Sequence, residues 1–212
     1  MWVVKIGGSL AKDSLLASWL EQLSTLGGGR VVIVPGGAGY ADAARAAQAQ
    51  WGLDDLVAHN MAILGMGQFA FMLQGLCPDL VLAADERELE RAVHSGRVAL
   101  WMPLELLRRE ADELTTWDVT SDSLSLWLAN RLNAERVILV KSCPIASEDP
   151  QDNWPALASA GVVDRSFPAL AADAAYPIHL LERTALGRMR ELLLEDPGVV
   201  GGGEAAAVFN GQ

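Results

Sequence analysis

The chain alternates between short runs of consecutive apolar residues and longer stretches with helical periodicity. Residues 31–34 and 137–140 are apolar at every position, as in strands of a parallel sheet that is covered on both faces. Further strands are expected at residues 2–6, 80–83, 98–102 and 178–181. Because helical segments separate these runs, the pattern predicts an α/β fold with a largely parallel central sheet, a three-layer α/β/α sandwich.

Helical periodicity marks the segments between these runs. The expected helices cover residues 13–26, 40–51, 54–76, 85–94, 120–133, 166–174 and 184–195. The glycines at residues 201–203 are expected to form a turn or a flexible tail. Neither a linker nor an internal repeat interrupts the 212 residues, so we expect a single domain over residues 1–212.

The charge of the chain restricts its partners. With a net charge of −11, most of the surface repels a nucleic-acid backbone, so nucleic-acid binding is disfavoured. An anionic nucleotide can still bind, but only at a local cluster of some of the 16 lysines and arginines. The hydrophobic content of 51% is typical of a globular chain and excludes a disordered one.

The remaining composition indicates a cytoplasmic protein. Cys77 and Cys143 have neither metal-ligand spacing nor the number of a disulfide scaffold, and no residue is assigned to bind metal directly. Lys5 and the glycines after it interrupt the N-terminal apolar run, which argues against a signal peptide. The apolar residues 61–76 are too few for a membrane span and predict a buried or subunit-interface helix.

A glycine turn follows the first expected strand and carries a lysine at its base. Lys5 lies near the end of that strand, and Gly7, Gly8 and Ser9 follow it. Glycines let the backbone approach a ligand closely, and exposed amides beside a helix start and a fixed cation suit a polyphosphate. A tight turn with a solvent-exposed lysine is an equally good interpretation of this stretch alone.

Three other segments follow expected strands or precede helices in the same way. A second glycine turn, Pro35-Gly36-Gly37-Ala38-Gly39, follows the strand at residues 31–34. The cluster Thr120-Ser121-Asp122-Ser123 precedes a helix, either as an ordinary N-cap or with its polar groups in a cleft. Lys141-Ser142 closes the strand at residues 137–140, where the lysine could also reach solvent along its stem. Ligands of parallel sheets lie beyond these strand ends.

Several nucleotide-binding and catalytic motifs are absent from the sequence. There is neither a Walker A motif nor a serine nucleophile elbow. The Gly37-x-Gly39 pair resembles a dinucleotide fingerprint, but Asp42 stands at its third position, where a carboxylate repels a pyrophosphate. An oxidoreductase that binds NAD(P) at this turn stays open as an alternative.

The order of the four motifs resembles that of the amino acid kinase superfamily. The resemblance covers about residues 1–142 and rests on Lys5-Ile6-Gly7-Gly8-Ser9, Pro35-Gly36-Gly37, Thr120-Ser121-Asp122 and Lys141-Ser142. Within the superfamily, the chain most resembles the aminomethylfuranmethanol phosphate kinases of methanofuran biosynthesis, through residues 5–10, 31–37 and 56–63.

This resemblance implies an ATP-dependent phosphotransferase that acts on a small phosphate- or carboxylate-bearing acceptor, with Mg²⁺ held mainly by the phosphates of ATP. It also implies a homo-oligomer. Lys5 and Asp122 are the catalytic residues that it suggests: Lys5 neutralises the transferring group and Asp122 orients Lys5. The residues implied to bind ATP are Gly7, Gly8, Ser9, Lys12, Lys141 and Ser142. Those implied to bind the acceptor are Gly36, Gly37, Gly39, Thr120 and Ser121.

The chain departs from the superfamily pattern at three places. Ala38 replaces the third glycine of the second turn, no lysine follows Lys141, and residues 201–204 replace a Gly-Thr segment. Arg165, Arg183 or Arg188 could supply the absent C-terminal cation, although a guanidinium is less compact than an ammonium. The alternative function is a catalytically impaired nucleotide-binding or regulatory protein on the same fold.

Overall fold

The central feature of the fold is a parallel β-sheet. In the computed structural model, which describes residues 1–148, 150 and 153–195, six strands form one sheet in the order β3-β4-β2-β1-β5-β6. Every strand pairing in it is parallel, which confirms the predicted sheet. The strands are β1 (Trp2–Ile6), β2 (Val31–Pro35), β3 (Val81–Ala83), β4 (Ala99–Trp101), β5 (Arg136–Lys141) and β6 (Ile178–Glu182).

Eight α-helices accompany these strands in the described part of the chain. They are α1 (Leu16–Leu26), α2 (Ala38–Trp51), α3 (Asp55–Leu76), α4 (Glu86–His94), α5 (Ser121–Arg131), α6 (Trp154–Ser159), α7 (Phe167–Ala172) and α8 (Leu186–Glu195). The helix predicted from residue 13 begins later, because Gly8–Lys12 forms a 3₁₀ turn directly after β1. Helix α6 was not predicted, whereas α7, which has the same length of six residues, was predicted with wider bounds at residues 166–174. The predicted glycine turn or tail at residues 201–203 lies outside the described residues.

The two faces of the sheet carry different helices. Trp2, Val4 and Ile6 of β1 point into a core built with α1, α3 and α8. Val3 of β1 and Val137 and Leu139 of β5 point into the opposite core, which contains α5 and α7. Because side chains alternate along a strand, Lys5 and Lys141 share the face that α5 covers.

Helix α3 is the long apolar element of the chain. It packs against α2 closely enough that a Cβ on Gly65 would lie 3.0 Å from Cβ of Tyr40. Its residues Phe69, Ala70 and Leu73 are fully buried in the core. Of the described helices it alone is long and apolar enough to cross a bilayer, but its packing against α2 and the sheet explains that composition as that of a core helix.

Candidate active site

The two glycine turns pack against each other at the carboxyl ends of β1 and β2. A Cβ on Gly8 would lie 2.2 Å from the backbone nitrogen of Ala38, and a Cβ on Gly36 would lie 2.2 Å from that of Gly8. The amide of Gly36 donates to the carbonyl of Ile6 at 2.9 Å. Glycine is therefore required at both positions for the backbones to approach, before any ligand is considered.

Ala38 begins α2 in a backbone conformation that favours glycine. Its φ is +47°, in the left-handed region. The resemblance led us to expect a third glycine at this position, and the structure supplies the reason, since a residue without a Cβ adopts this φ at no steric cost. Ala38 therefore adopts a glycine-like conformation although it carries a Cβ.

Two lysines and one aspartate meet at the ends of β1 and β5. Lys5 Nζ lies 2.9 Å from Oδ1 of Asp122, and Lys141 Nζ donates to Oδ2 at 2.5 Å. The contact at Oδ1 is an ion pair without hydrogen-bond geometry. All three side chains are buried, with exposed fractions of 6%, 5% and 8% for Lys5, Asp122 and Lys141. The sequence offers no lysine after Lys141 as a partner for Lys5, and in the structure Lys141 itself contacts the same carboxylate as Lys5.

Burial and charge act together on this cluster. Burial opposes ionisation of Asp122, but the two ammonium groups outweigh it and hold the pKa of the carboxyl below its usual value. Burial, followed by repulsion from Lys5, lowers the pKa of Lys141 to about 8, while Asp122 opposes that change. With all three groups charged the cluster has one net positive charge, which suits an anionic ligand.

Asp164 anchors the N-terminus of α5 and was missed by the sequence analysis. Its carboxylate accepts hydrogen bonds from the amide and hydroxyl of Thr120, both at 2.8 Å, and from the amide of Ser123 at 3.0 Å. The Ser123 hydroxyl and the amide of Phe167 also donate to it. A local signal existed, because Asp164 lies three residues before Phe167 at the start of α7. The bonds to α5 depend on tertiary structure.

A cavity of about 480 Å³ lies between the glycine turns, α2 and α3. Its walls include the cations Lys12 and Arg45 and the carboxylates Asp42 and Asp55. The apolar part of the wall is formed mainly by Ala41, Ala62, Ile63, Met66, Val119 and Leu124. This first cavity therefore suits a small molecule with an apolar body and charged groups of both signs.

His59 lines the first cavity and was not identified from the sequence. It is buried, and its Nε2 lies 2.9 Å from the carbonyl oxygen of Leu106. Because a carbonyl oxygen only accepts, Nε2 carries the proton, and Nδ1 is the ring nitrogen available to a ligand. The sequence offered no metal-ligand spacing for this histidine. Only the structure shows that its position on α3 places it in the cavity wall.

A second cavity of about 1020 Å³ lies between the end of β5, α6 and α7. Asp122 and Lys141 line it, together with Asp118, residues 161–165 and Pro168. Arg45, Trp117 and Thr120 line both cavities, so these residues mark the boundary between them. Two members of the lysine–aspartate cluster, Asp122 and Lys141, therefore line the second of two neighbouring cavities at the carboxyl edge of the sheet.

Comparison with known proteins identifies the family. The sequence signature of the amino acid kinase family matches residues 1–156. The chain belongs to this family. A curated relative, [5-(aminomethyl)furan-3-yl]methyl phosphate kinase from Methanocaldococcus jannaschii, is 28% identical over 141 residues, which are 66% of this chain and 64% of the relative. The chain thus matches less than two thirds of the length of that relative.

Solved structures of amino acid kinases share the fold. Uridylate kinase from Archaeoglobus fulgidus superposes with a TM-score of 0.69 at 16% identity, over 91% of this chain and 95% of that one. UMP kinase from Bacillus anthracis gives 0.64 at 18% identity, over 92% and 91%. An isopentenyl phosphate kinase gives 0.56 at 16% identity, over 92% and 96%. The three-layer fold is thereby confirmed as that of the amino acid kinases.

The structure distributes the predicted kinase residues over both cavities. Gly8, Ser9, Lys12, Gly37, Gly39, Thr120 and Ser121 line the first cavity, and Thr120, Asp122 and Lys141 line the second. Ser9 and Lys12 were expected to bind ATP, but the 3₁₀ turn after β1 carries them to the cavity where the acceptor was expected. The assignments to ATP or acceptor stay predictions.

Four predicted residues, Lys5, Gly7, Gly36 and Ser142, line neither cavity. Gly7 lies beside the cluster, where a Cβ would be 3.3 Å from Nζ of Lys5. Gly36 is covered by Gly8, as described above. These glycines act through packing, and their contact with a ligand also stays a prediction.

The arginines considered as replacements for the absent C-terminal lysine are engaged in ion pairs. Arg183 contacts Asp13 at 2.5 Å, and Arg188 contacts Glu148 at 2.9 Å. Arg165 lines the second cavity but is largely exposed, and its guanidinium lies 3.6 Å from Asp118. Within the described part of the chain, Lys141 is therefore the cation that shares Asp122 with Lys5.

Proposed function

We propose that this chain transfers a phosphoryl group from ATP to a small phosphate-bearing acceptor, most specifically [5-(aminomethyl)furan-3-yl]methyl phosphate, in methanofuran biosynthesis. The observation that carries the proposal is the buried Lys5–Asp122–Lys141 cluster, whose Asp122 and Lys141 line one of two adjoining cavities. Membership of the amino acid kinase family supports phosphoryl transfer, and the name of the curated relative supports this acceptor.

The reaction that we propose needs no general base. An oxygen of the acceptor phosphate is already anionic and attacks the γ-phosphorus of ATP, while the bond from that phosphorus to the leaving ADP oxygen breaks. Lys5 and Lys141 neutralise charge on the transferring group, and Asp122 holds both ammonium groups in place. With a pKa of about 8, Lys141 is mostly protonated at neutral pH and can serve as a cation.

The carboxylates near the second cavity are engaged within the protein, which fits a magnesium ion that is bound by the nucleotide phosphates. Asp122 is occupied by two lysines, and Asp164 by hydrogen bonds from α5 and α7. Within the described residues there is no group of three His, Cys, Asp or Glu side chains that could hold a metal ion. The ion would therefore be bound through phosphate oxygens, and it would supply charge neutralisation there.

The first cavity fits an acceptor that bears both a phosphate and an ammonium group. Lys12 lies beside the glycine turns and forms no ion pair among the described residues, so it is available to the acceptor phosphate. Asp42 lies four residues after Ala38, about 6 Å along the axis of α2. No described lysine or arginine nitrogen is within 4 Å of its carboxylate, which is available to an ammonium. Ile63 and Met66 provide apolar contact for a ring.

The proposal is tested by incubating the protein with ATP, Mg²⁺ and the aminomethylfuran phosphate. We expect ADP, and a diphosphate product visible in the ³¹P NMR spectrum. Asp42→Asn should raise KM about 5-fold for this acceptor but not for its analogue without the amino group, since an exposed charge contact contributes on the order of 1 kcal/mol.

Two other outcomes would redirect the proposal. Turnover of uridine monophosphate or isopentenyl phosphate in preference to the furan would overturn the acceptor. Calorimetric binding of ATP without ADP formation on any acceptor of this panel would favour the alternative, a nucleotide-binding protein without kinase activity.

We also infer that the protein forms a homo-oligomer through α3. Val57, Leu64 and Phe71 are exposed by 41%, 46% and 57%, and their spacing of seven residues places them on one face of the helix. Light scattering after gel filtration should give at least a dimer mass, and Leu64→Asp should lower it. A monomer mass for the unmodified protein would contradict this inference, and the cytoplasmic location stays a prediction.

A further inference from the structure

The boundary between the two cavities carries a cation without a described partner. Arg45, Trp117 and Thr120 line both cavities. The hydroxyl of Thr120 donates to Asp164, which leaves Arg45 as the charged group at the boundary. Arg45 is also the only lysine or arginine among the described residues that lines both spaces.

The charge of Arg45 is not neutralised by the protein. No carboxylate oxygen of the described residues lies within 4 Å of its guanidinium, in contrast to Arg183 and Arg188. In a chain with a net charge of −11, an exposed arginine without an acidic partner, which lines the same cavity as Lys141, strengthens the local attraction for an anion.

Trp117 holds this guanidinium from one face. The guanidinium carbon of Arg45 lies 4.2 Å from the centroid of the Trp117 ring. The indole Nε1 of Trp117 donates to Oε1 of Gln48 at 2.5 Å, which fixes the ring against α2. Stacking on one face leaves the N–H edge of the guanidinium available, and that planar edge matches two phosphate oxygens.

We propose that Arg45 is a catalytic residue that binds phosphate oxygens at the boundary of the two cavities, with Trp117 as its positioning residue. This inference rests on the proposed function, because phosphoryl transfer requires the acceptor phosphate and the terminal phosphate of ATP to meet at one place. Arg45 then contributes a cation beyond Lys5 and Lys141 to the transferring group. Because Arg45 lines both cavities, it can contact the acceptor and the nucleotide at the same time.

Kinetics of matched variants test the proposal. Arg45→Gln should lower kcat for the aminomethylfuran phosphate about 100-fold, the effect of removing one preorganised donor to a developing charge. Arg45→Lys should retain an intermediate rate, since it keeps the charge and loses the planar edge. Trp117→Leu should reduce kcat more than Trp117→Phe, which keeps a ring under the guanidinium. The control Arg87→Gln removes an exposed arginine of α4 and should keep the kcat of the unmodified protein.

A binding experiment separates this inference from the proposed function. Inorganic pyrophosphate, which presents two linked phosphates, is titrated into the unmodified protein and Arg45→Gln by calorimetry. A Kd raised at least 10-fold in the variant, with an unchanged Tm, supports the assignment even if no acceptor is turned over. Equal Kd values for pyrophosphate, or an unchanged kcat in Arg45→Gln, would overturn it.

Discussion

Lys141 is expected to lower the stability of the fold, because the site holds its charged ammonium group in a buried position. Its ammonium is buried beside Lys5, and its pKa falls from 10.5 to about 8. Each pKa unit corresponds to about 1.4 kcal/mol, so holding Lys141 charged in the folded protein costs about 3 kcal/mol at neutral pH. Lys141→Met keeps a side chain of similar length without the charge. We therefore expect it to raise the free energy of unfolding at pH 7, by less than about 3 kcal/mol because Oδ2 of Asp122 loses its hydrogen bond from Lys141.

The pH dependence gives this prediction its sign. Below pH 8 Lys141 is protonated in both the folded and the unfolded chain, and the full destabilisation is present. Between about pH 8 and 10.5 it is neutral when folded but charged when unfolded, so unfolding takes up a proton and stability rises with pH. Above that window the destabilisation is absent, and the difference between Lys141→Met and the unmodified protein should vanish.

Urea unfolding, followed by circular dichroism at pH 7 and at several values up to 10.5, measures this difference. Lys12→Met is the matched control, since Lys12 is exposed, and its stability should stay close to that of the unmodified protein at every pH. Kinase activity of Lys141→Met should fall although the protein is more stable. A destabilised Lys141→Met at pH 7, or a difference independent of pH, would refute the reasoning.

Three further substitutions test the turns and the anchor of α5, each by chemical denaturation. Ala38→Gly should stabilise the fold by up to about 1 kcal/mol by relieving the positive φ, whereas Ala43→Gly in the same helix should destabilise it by about 1 kcal/mol. Gly36→Ala should destabilise the fold by more than about 3 kcal/mol, because its Cβ would lie 2.2 Å from a backbone atom. Gly39→Ala is the control, since its Cβ would have no neighbour within 4 Å. Equal effects of the two substitutions would contradict the packing argument. Asp164→Ala should cost about 2 kcal/mol or more by leaving its donors on α5 unpaired, and a neutral result would show that water replaces the carboxylate.

Local patterns in the sequence were sufficient for the class of the fold. The strands and helices were predicted because apolar runs and helical periodicity report burial within a few residues along the chain. One or two turns of helix give only a weak periodic signal. Of the two six-residue helices, α7 was predicted and α6 was not, and the 3₁₀ turn at Gly8–Lys12 was also missed. Similarly, the left-handed conformation of Ala38 was not readable from an alanine, although the glycines around it marked a turn.

For the candidate site too, some features follow from local sequence and others depend on tertiary structure. Sequence by itself determined that Lys5, the two glycine turns, Asp122 and Lys141 lie at the ends of strands or starts of helices, because these positions follow from local periodicity. Only the tertiary structure decided that β5 lies beside β1, which brings Lys141 and Lys5 to one carboxylate. It also decided that Asp164 anchors α5, and that Arg45 and Trp117 separate two cavities. Strand order and helix packing depend on contacts between distant residues, and no local pattern records them.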